Sequence, residues 1–210
     1  MGYPATGQLT EYEKTMLLGA YHRALAGGAE VNQIIAKSNE GARAVLMKGG
    51  HLGGDTVIDL LFQGDDQQLY LQLRSQDKWQ TAEPLAEATT ANPPVAVKLG
   101  ASSKLLAVYI EHAPTTSNHF KLRWSIREGA TWTSPKNIGA AVFTETPPAL
   151  LALSDSKALI AYLGTDGRGY SCVYDADESP TWSSPKHIDE NGAPWASAPS
   201  LAPGVTGAQA

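Results

Sequence analysis

Six side chains in this 210-residue chain are of the types that hold a sugar: Glu111, Trp124, Arg127, Glu128, Tyr170 and Trp195. A pyranose offers an apolar C–H face and a rim of hydroxyls. An aromatic platform with a few charged groups at its edge matches both. Trp124 and Trp195 are the expected platforms, with Tyr170, Arg127, Glu128 and Glu111 beside them. Bond-breaking chemistry finds no such set. The chain has no Gly-x-Ser-x-Gly elbow, His-Glu-x-x-His pair, Cys-x-x-Cys pair or phosphate loop. Five histidines, at 22, 51, 112, 119 and 187, are scattered. His112 and His119 flank one loop without a nearby carboxylate ligand, which makes a poor metal pair. Asp175-x-Asp177-Glu178 carries hard oxygens but lacks the further donors that Ca²⁺ requires. The expectation is no catalytic residue, no metal and no cofactor.

What positions the six is a weak repeat of about fifty residues. Trp79, Trp132 and Trp182 are 53 and 50 residues apart. The second stands in Thr131-Trp132-Thr-Ser-Pro-Lys-Asn-Ile138 and the third in Thr181-Trp182-Ser-Ser-Pro-Lys-His-Ile188, while the first keeps less of the pattern. Pro93-Pro94 recurs as Pro147-Pro148 and as Ala198-Pro199, each before a short apolar stretch: 95–99, 149–153 and 200–202. Strand-like runs follow at 57–62, 105–110 and 158–162, and again at 69–73, 120–126 and 170–174. Gly64-Asp-Asp-Gln67 and Gly164-Thr-Asp-Gly167 are turns between them, because Gly and Asp tolerate positive φ. Four short antiparallel strands per unit of this length suit a propeller blade.

The stretch Ser125-x-x-x-Gly129-x-Thr131-Trp132 resembles the Asp-box, or bacterial neuraminidase repeat, whose pattern is Ser-x-Asp-x-Gly-x-Thr-Trp. Arg127 stands where that family has Asp; the third copy keeps Asp177, Thr181 and Trp182, and the first only Trp79. The stretch from Tyr162 to Tyr170 is similar to blade hairpins of bacterial and fungal propeller lectins. The resemblance implies a propeller in which Trp79, Trp132 and Trp182 are structural and pack between blades. It implies no activity, since the family's box is a hairpin distant from its active centre.

Composition agrees. Charged residues make 18% of the chain, below the usual quarter, and the net charge is −5 with no basic stripe, so nucleic acid is not an expected partner. The single Cys172 rules out an internal disulfide framework and reads as a small core residue. No apolar run approaches the ~18 residues of a membrane helix, and no classical signal peptide is visible. Near the start, Thr10-Glu-Tyr-Glu13 is a capping box, Leu17, Leu18, Tyr21 and Leu25 share a face, and Gly27-Gly28 ends the run, which predicts a helix over 11–26. Residues 29–37 read equally as strand or helix.

The expected architecture is mainly β: an N-terminal helical segment, 1–38, then propeller-like repeats over 39–210, divided at about 39–90, 91–143, 144–194 and a partial 195–210. Three units and a fraction do not close a propeller of four to eight blades. The reading therefore expects a larger parent chain or a homo-oligomer. The expected function is a lectin-like, carbohydrate-binding module whose partner is a glycan or glycoprotein. At its most specific this is the targeting part of a bacterial toxin or secreted effector, outside the cell. The alternatives are a structural or assembly domain with a protein partner, and an inactive remnant of a sialidase-type glycosidase.

Overall fold

The computed structural model describes Thr15 and residues 34–38, 41–52, 55–64, 66–75, 78–90, 92–99, 104–112, 120–139, 142–179, 181–189 and 194–201, with side chains from Asp59 onward apart from Ser75. The first sheet holds β1 (Ile34–Ser38), β2 (Gly41–Leu52), β3 (Asp55–Gln63), β4 (Gln68–Ser75), β5 (Lys78–Trp79) and β6 (Glu83–Thr89). The second holds β7 (Val95–Lys98), β8 (Leu105–Ile110), β9 (Leu122–Glu128), β10 (Thr131–Trp132) and β11 (Lys136–Asn137). The third holds β12 (Ala149–Ala152), β13 (Lys157–Leu163), β14 (Gly169–Asp175) and β15 (Lys186–His187). All pairings are antiparallel, and each sheet runs in chain order.

Alternation along the strands decides how the sheets stack, because successive side chains leave a strand on opposite faces. On β8, Leu105, Ala107 and Tyr109 pack with Leu61, Leu69, Leu71 and Leu85 of the first sheet. Leu106, Val108 and Ile110 point the other way and join Leu150, Ile160, Tyr162 and Tyr174 of the third. All six β8 side chains are therefore buried, and the second sheet is sandwiched. One strand of each sheet lies beside the next, β2 next to β7 and β7 next to β12. Lys98 on β7 reaches across to the buried Asp59 of β3 at 2.6 Å, pairing a carboxylate that burial alone would disfavour.

The outer strand of each of the first two sheets is interrupted by the Trp turn. Trp79 pairs with Arg74 at one end of β4, while β6 pairs with the other end. Trp132 pairs with Arg127 at one end of β9, and β11 takes over at the other. In the third sheet Trp182 keeps a single bridge to Tyr174 before β15. Trp182 is buried between the second and third sheets, and Trp132 packs half-buried on the cluster between the first and second.

Two expectations need adjusting. The first sheet has six strands rather than four, because β1 adds a hairpin with β2, which carries a register shift on each side of β2, and the Trp79 turn divides the outer strand into β5 and β6. Residues 29–37, left open between strand and helix, contain the start of that hairpin. Ser200 and Leu201, expected to begin a further strand, lie in no strand. The helix read over 11–26 falls outside the described residues except for Thr15, which is helical.

Candidate functional site

At one end of each sheet the same transverse row crosses three strands, on the face turned away from the following sheet in the first two and toward the second sheet in the third. In the third sheet the row is Tyr162, Tyr170 and His187; in the second it is Tyr109, Arg123 and Asn137; in the first it is Phe62, Tyr70 and Pro84. The middle residue of every row binds a carboxylate from the neighbouring turn or loop. The Tyr170 hydroxyl donates to Asp166 Oδ2 at 2.7 Å, the Tyr70 hydroxyl donates to Asp66 Oδ2 at 2.6 Å, and Arg123 Nη2 pairs with Glu111 Oε1 at 3.2 Å.

The first and third rows are built by one local motif, an aromatic residue, Gly two later, Asp four later and Tyr eight later. Phe62-Gln-Gly64-Asp-Asp66-Gln-Gln-Leu-Tyr70 recurs as Tyr162-Leu-Gly164-Thr-Asp166-Gly-Arg-Gly-Tyr170. In both, an N–H of the turn's last residue donates back to the first glycine: Gln67 to Gly64 at 2.9 Å, Gly167 to Gly164 at 3.0 Å. That last residue has positive φ, 65° for Gln67 and 77° for Gly167, as a three-residue hairpin loop requires. The aspartate then accepts a backbone N–H two residues on, from Gln68 at 3.1 Å or Arg168 at 3.0 Å, which leaves its other oxygen to the tyrosine. The rings stack across the strands, Phe62 on Tyr70 at 5.6 Å and Tyr162 on Tyr170 at 5.5 Å. His187 continues the third row, its ring 4.4 Å from that of Tyr170.

The electrostatics follow from these bonds. The Tyr170 hydroxyl holds Asp166 below the ordinary carboxylate range, and the same bond raises Tyr170; Tyr70 is raised by Asp66 in the same way. Burial pushes the Tyr109 phenol up to about 12. Asp166 is thus an anion at neutral pH and an acceptor, not a proton donor. An exposed, oriented carboxylate beside a half-exposed aromatic ring can take hydrogen bonds from ligand hydroxyls while the ring edge takes C–H groups.

Of the residues expected from sequence, Glu111 and Tyr170 fall in equivalent rows, on the second and third sheets. The others do not join them. Trp124 is 6% exposed and lies on the opposite face of β9, packed edge-on against Tyr174 at 5.5 Å and Trp182 at 6.2 Å, with Lys136 Nζ 5.4 Å from its ring centroid. Its indole N–H donates to the Asn137 carbonyl at 3.3 Å. The expectation of a sugar platform at Trp124 is corrected: the third sheet covers its ring. Arg127 lies toward the other end of β9, its Nε buried without a hydrogen-bond partner. Glu128 is exposed and pairs with Lys104 at 2.9 Å. Trp195 is half-buried on the face opposite Tyr170: its ring rests on Gly169, so closely that a Cβ there would come within 2.3 Å of Trp195 Cη2 and Cζ2.

Asp175, considered for Ca²⁺, is engaged by Lys157 at 2.6 Å and caps its own turn by accepting the Asp177 N–H at 3.1 Å. His112 is exposed, and His119 lies outside the described residues. Sequence reasoning passed over Asp66, Tyr70, Arg123, Asn137, Asp166 and His187. Three of these, Asp66, Tyr70 and Asp166, were findable, because the aromatic-Gly-Asp-Tyr motif repeats at a spacing of one hundred residues.

No protein-family model matches the chain, and no curated protein matches it.

Proposed function

We propose that the protein is a carbohydrate-binding, lectin-like module, that its three sheets are successive blades of a propeller, and that the transverse rows are its glycan sites. One observation carries the reading. Three sheets, two of them through one shared hairpin motif and the second through a different sequence, each set a carboxylate against a tyrosine or arginine, beside a ring. The aspartates of the first and third sheets are exposed and keep lone pairs for ligand hydroxyls. Face-to-face stacking of sheets with β2, β7 and β12 side by side supports the blade reading. Repeated weak sites at one end would gain affinity through multivalency. A secreted or extracellular location follows from this reading.

A glycan array with the intact protein tests it. Binding to a defined glycan class is expected, weakened at least tenfold by Asp166→Ala with the fold retained. No binding to any glycan by folded protein would remove the proposal. The alternative, an assembly domain, is favoured by a different observation, the exposed Leu153 and Ile188 of the third sheet.

A further inference from the structure

Asp166 and Gly167 form the single Asp-Gly pair in the chain, and they stand at the tip of the β13–β14 hairpin. The matching tip between β3 and β4 has Asp66-Gln67. The two turns are otherwise held alike. In each, the aspartate Oδ1 accepts the backbone N–H two residues on and Oδ2 accepts a tyrosine hydroxyl, at 3.0 and 2.7 Å for Asp166. In each, the N–H of the following residue donates to the glycine carbonyl three residues back, at 3.0 Å for Gly167. Both aspartates are exposed, and both following residues have positive φ, 77° for Gly167 and 65° for Gln67. At the position after the aspartate the difference is one side chain, present on Gln67 and lacking on Gly167.

That difference governs a reaction that needs no enzyme. The main-chain nitrogen after an aspartate can attack the side-chain carboxyl carbon and close a cyclic imide. The N–Cγ bond forms, the Cγ–OH bond breaks, and the hydroxyl leaves as water with the amide proton. Water then reopens the ring. Cleavage between nitrogen and Cγ restores aspartate. Cleavage between nitrogen and the main-chain carbonyl leaves the chain linked through Cγ, an isoaspartyl residue of unchanged mass. A side chain on the attacking residue crowds the approach, whereas glycine has none and the widest choice of φ and ψ in which to make it. The carboxyl must be neutral to lose its hydroxyl. The Tyr170 hydroxyl opposes this, because it holds the carboxylate in place as an anion. These bonds lie at an exposed hairpin tip, where local opening breaks them without unfolding the sheet.

We propose that Asp166 is a site of spontaneous isoaspartyl conversion, that Gly167 permits it, and that the Tyr170–Asp166 bond limits its rate. The product has an extra main-chain atom between residues 166 and 167, and its carboxylate is attached at Cα instead of Cβ. The bonds from Arg168 and Tyr170 to Asp166, and from the Trp195 N–H to the Gly167 carbonyl at 2.8 Å, all depend on the present loop. Conversion therefore removes the oriented carboxylate of the third row and leaves Asp66 in the first. Its bearing on ligand binding rests on the glycan reading; the conversion itself does not.

The test is to age the full chain for weeks in mildly acidic buffer, with no sugar present, and to map its peptides by chromatography and mass spectrometry. Labelling by isoaspartyl methyltransferase identifies the linkage. A product of unchanged mass is expected at Asp166 and not at Asp66. Asn191-Gly192, which lies outside the described residues, can close the same imide, but it loses ammonia and its product is heavier, so the two are read separately. Tyr170→Phe should speed conversion at Asp166 by about 2–10-fold, the worth of one hydrogen bond. Gly167→Gln, which copies the first hairpin, should suppress it to the level seen at Asp66. Gln67→Gly should start it at Asp66 with the Tyr70 bond in place, and this variant keeps the test if Tyr170→Phe loses its fold. No conversion at Asp166 in the native chain, equal conversion at Asp66, a rate indifferent to Tyr170→Phe, or none at Asp66 in the Gln67→Gly chain would overturn the proposal.

Discussion

The Tyr170 hydroxyl donates to Asp166 Oδ2 at 2.7 Å across the tip of the β13–β14 hairpin, and the same bond recurs one hundred residues earlier between Tyr70 and Asp66. The bond does two things at once. It holds the turn, and it fixes an exposed carboxylate beside an aromatic ring. Tyr170→Phe separates them: the ring stays, and the loss of the donor should cost about 0.5–1.5 kcal/mol of stability. If the row binds glycan, affinity falls with the released carboxylate while the melting curve shifts only slightly. Unchanged affinity for a bound glycan would place the site elsewhere.

The same pair sets a pH dependence. Asp166 titrates below its ordinary value when folded, whereas unfolded it titrates near 3.9. Its contribution is therefore complete above about pH 4 and is lost as pH falls through the folded value. Tyr170 is raised, so its contribution holds below about pH 10 and is lost as pH rises through its folded value. Asp166→Asn should flatten the acid limb of the stability curve below about pH 4 and lower stability at neutrality by the same small amount, small because the pair is exposed. Acid unfolding monitored by circular dichroism would show it; an unaltered acid limb would mean that the bond carries no stability.

Gln67 and Gly167 occupy the same turn position with positive φ, which an L side chain adopts at a cost of about 1–2 kcal/mol. Gln67→Gly removes that strain but adds freedom to the unfolded chain, worth about 0.5–1 kcal/mol. A net gain of about 0.5–1 kcal/mol is expected in a denaturant melt. A loss would show that the Gln67 side chain makes a compensating contact.

Gly169 and Trp195 are coupled by contact. Gly169→Ala places a Cβ where the indole now lies and should cost about 1–3 kcal/mol. In a Trp195→Ala background that cost should shrink to the intrinsic effect of the alanine. Additive effects in the double-mutant cycle would separate the two residues.

Trp124 offers the contrast with Trp195. Trp124→Ala empties a site shared by Tyr174 and Trp182 and should cost about 3–5 kcal/mol. Cys172, on the β14 face that meets the same core, has its thiol pushed up to about 11 by burial. It should resist thiol reagents at pH 8 until the protein unfolds. Rapid labelling of native protein would show that the core between the second and third sheets opens readily.

Much of the strand inventory was legible. The run at 105–110 is β8 to the residue, and the runs at 57–62, 69–73, 158–162 and 170–174 lie inside β3, β4, β13 and β14. Those strands are apolar enough, and bounded by strong enough turn residues, for local chemistry to settle them. The β1–β2 hairpin was missed because residues 41–52 mix Gly, Lys and Arg with apolar residues and break register twice. The site was half legible: Tyr170 and Glu111 stood out by type, but Arg123 did not, since nothing near it in sequence says that Glu111 and Asn137 flank it.

Sequence by itself determined the repeat, the antiparallel strands and the hairpins that present Asp66 and Asp166, because each depends on residues within about ten positions of one another. Only the tertiary structure decided which side of each strand meets a neighbour. A period of two assigns side chains to two faces without saying which face another sheet will cover. Trp124 and Trp195 looked alike as exposed platforms. Stacking of the third sheet on the second buried Trp124. With no further sheet described beyond the third, the equivalents of Leu99 and Ile138, namely Leu153 and Ile188, remain in water.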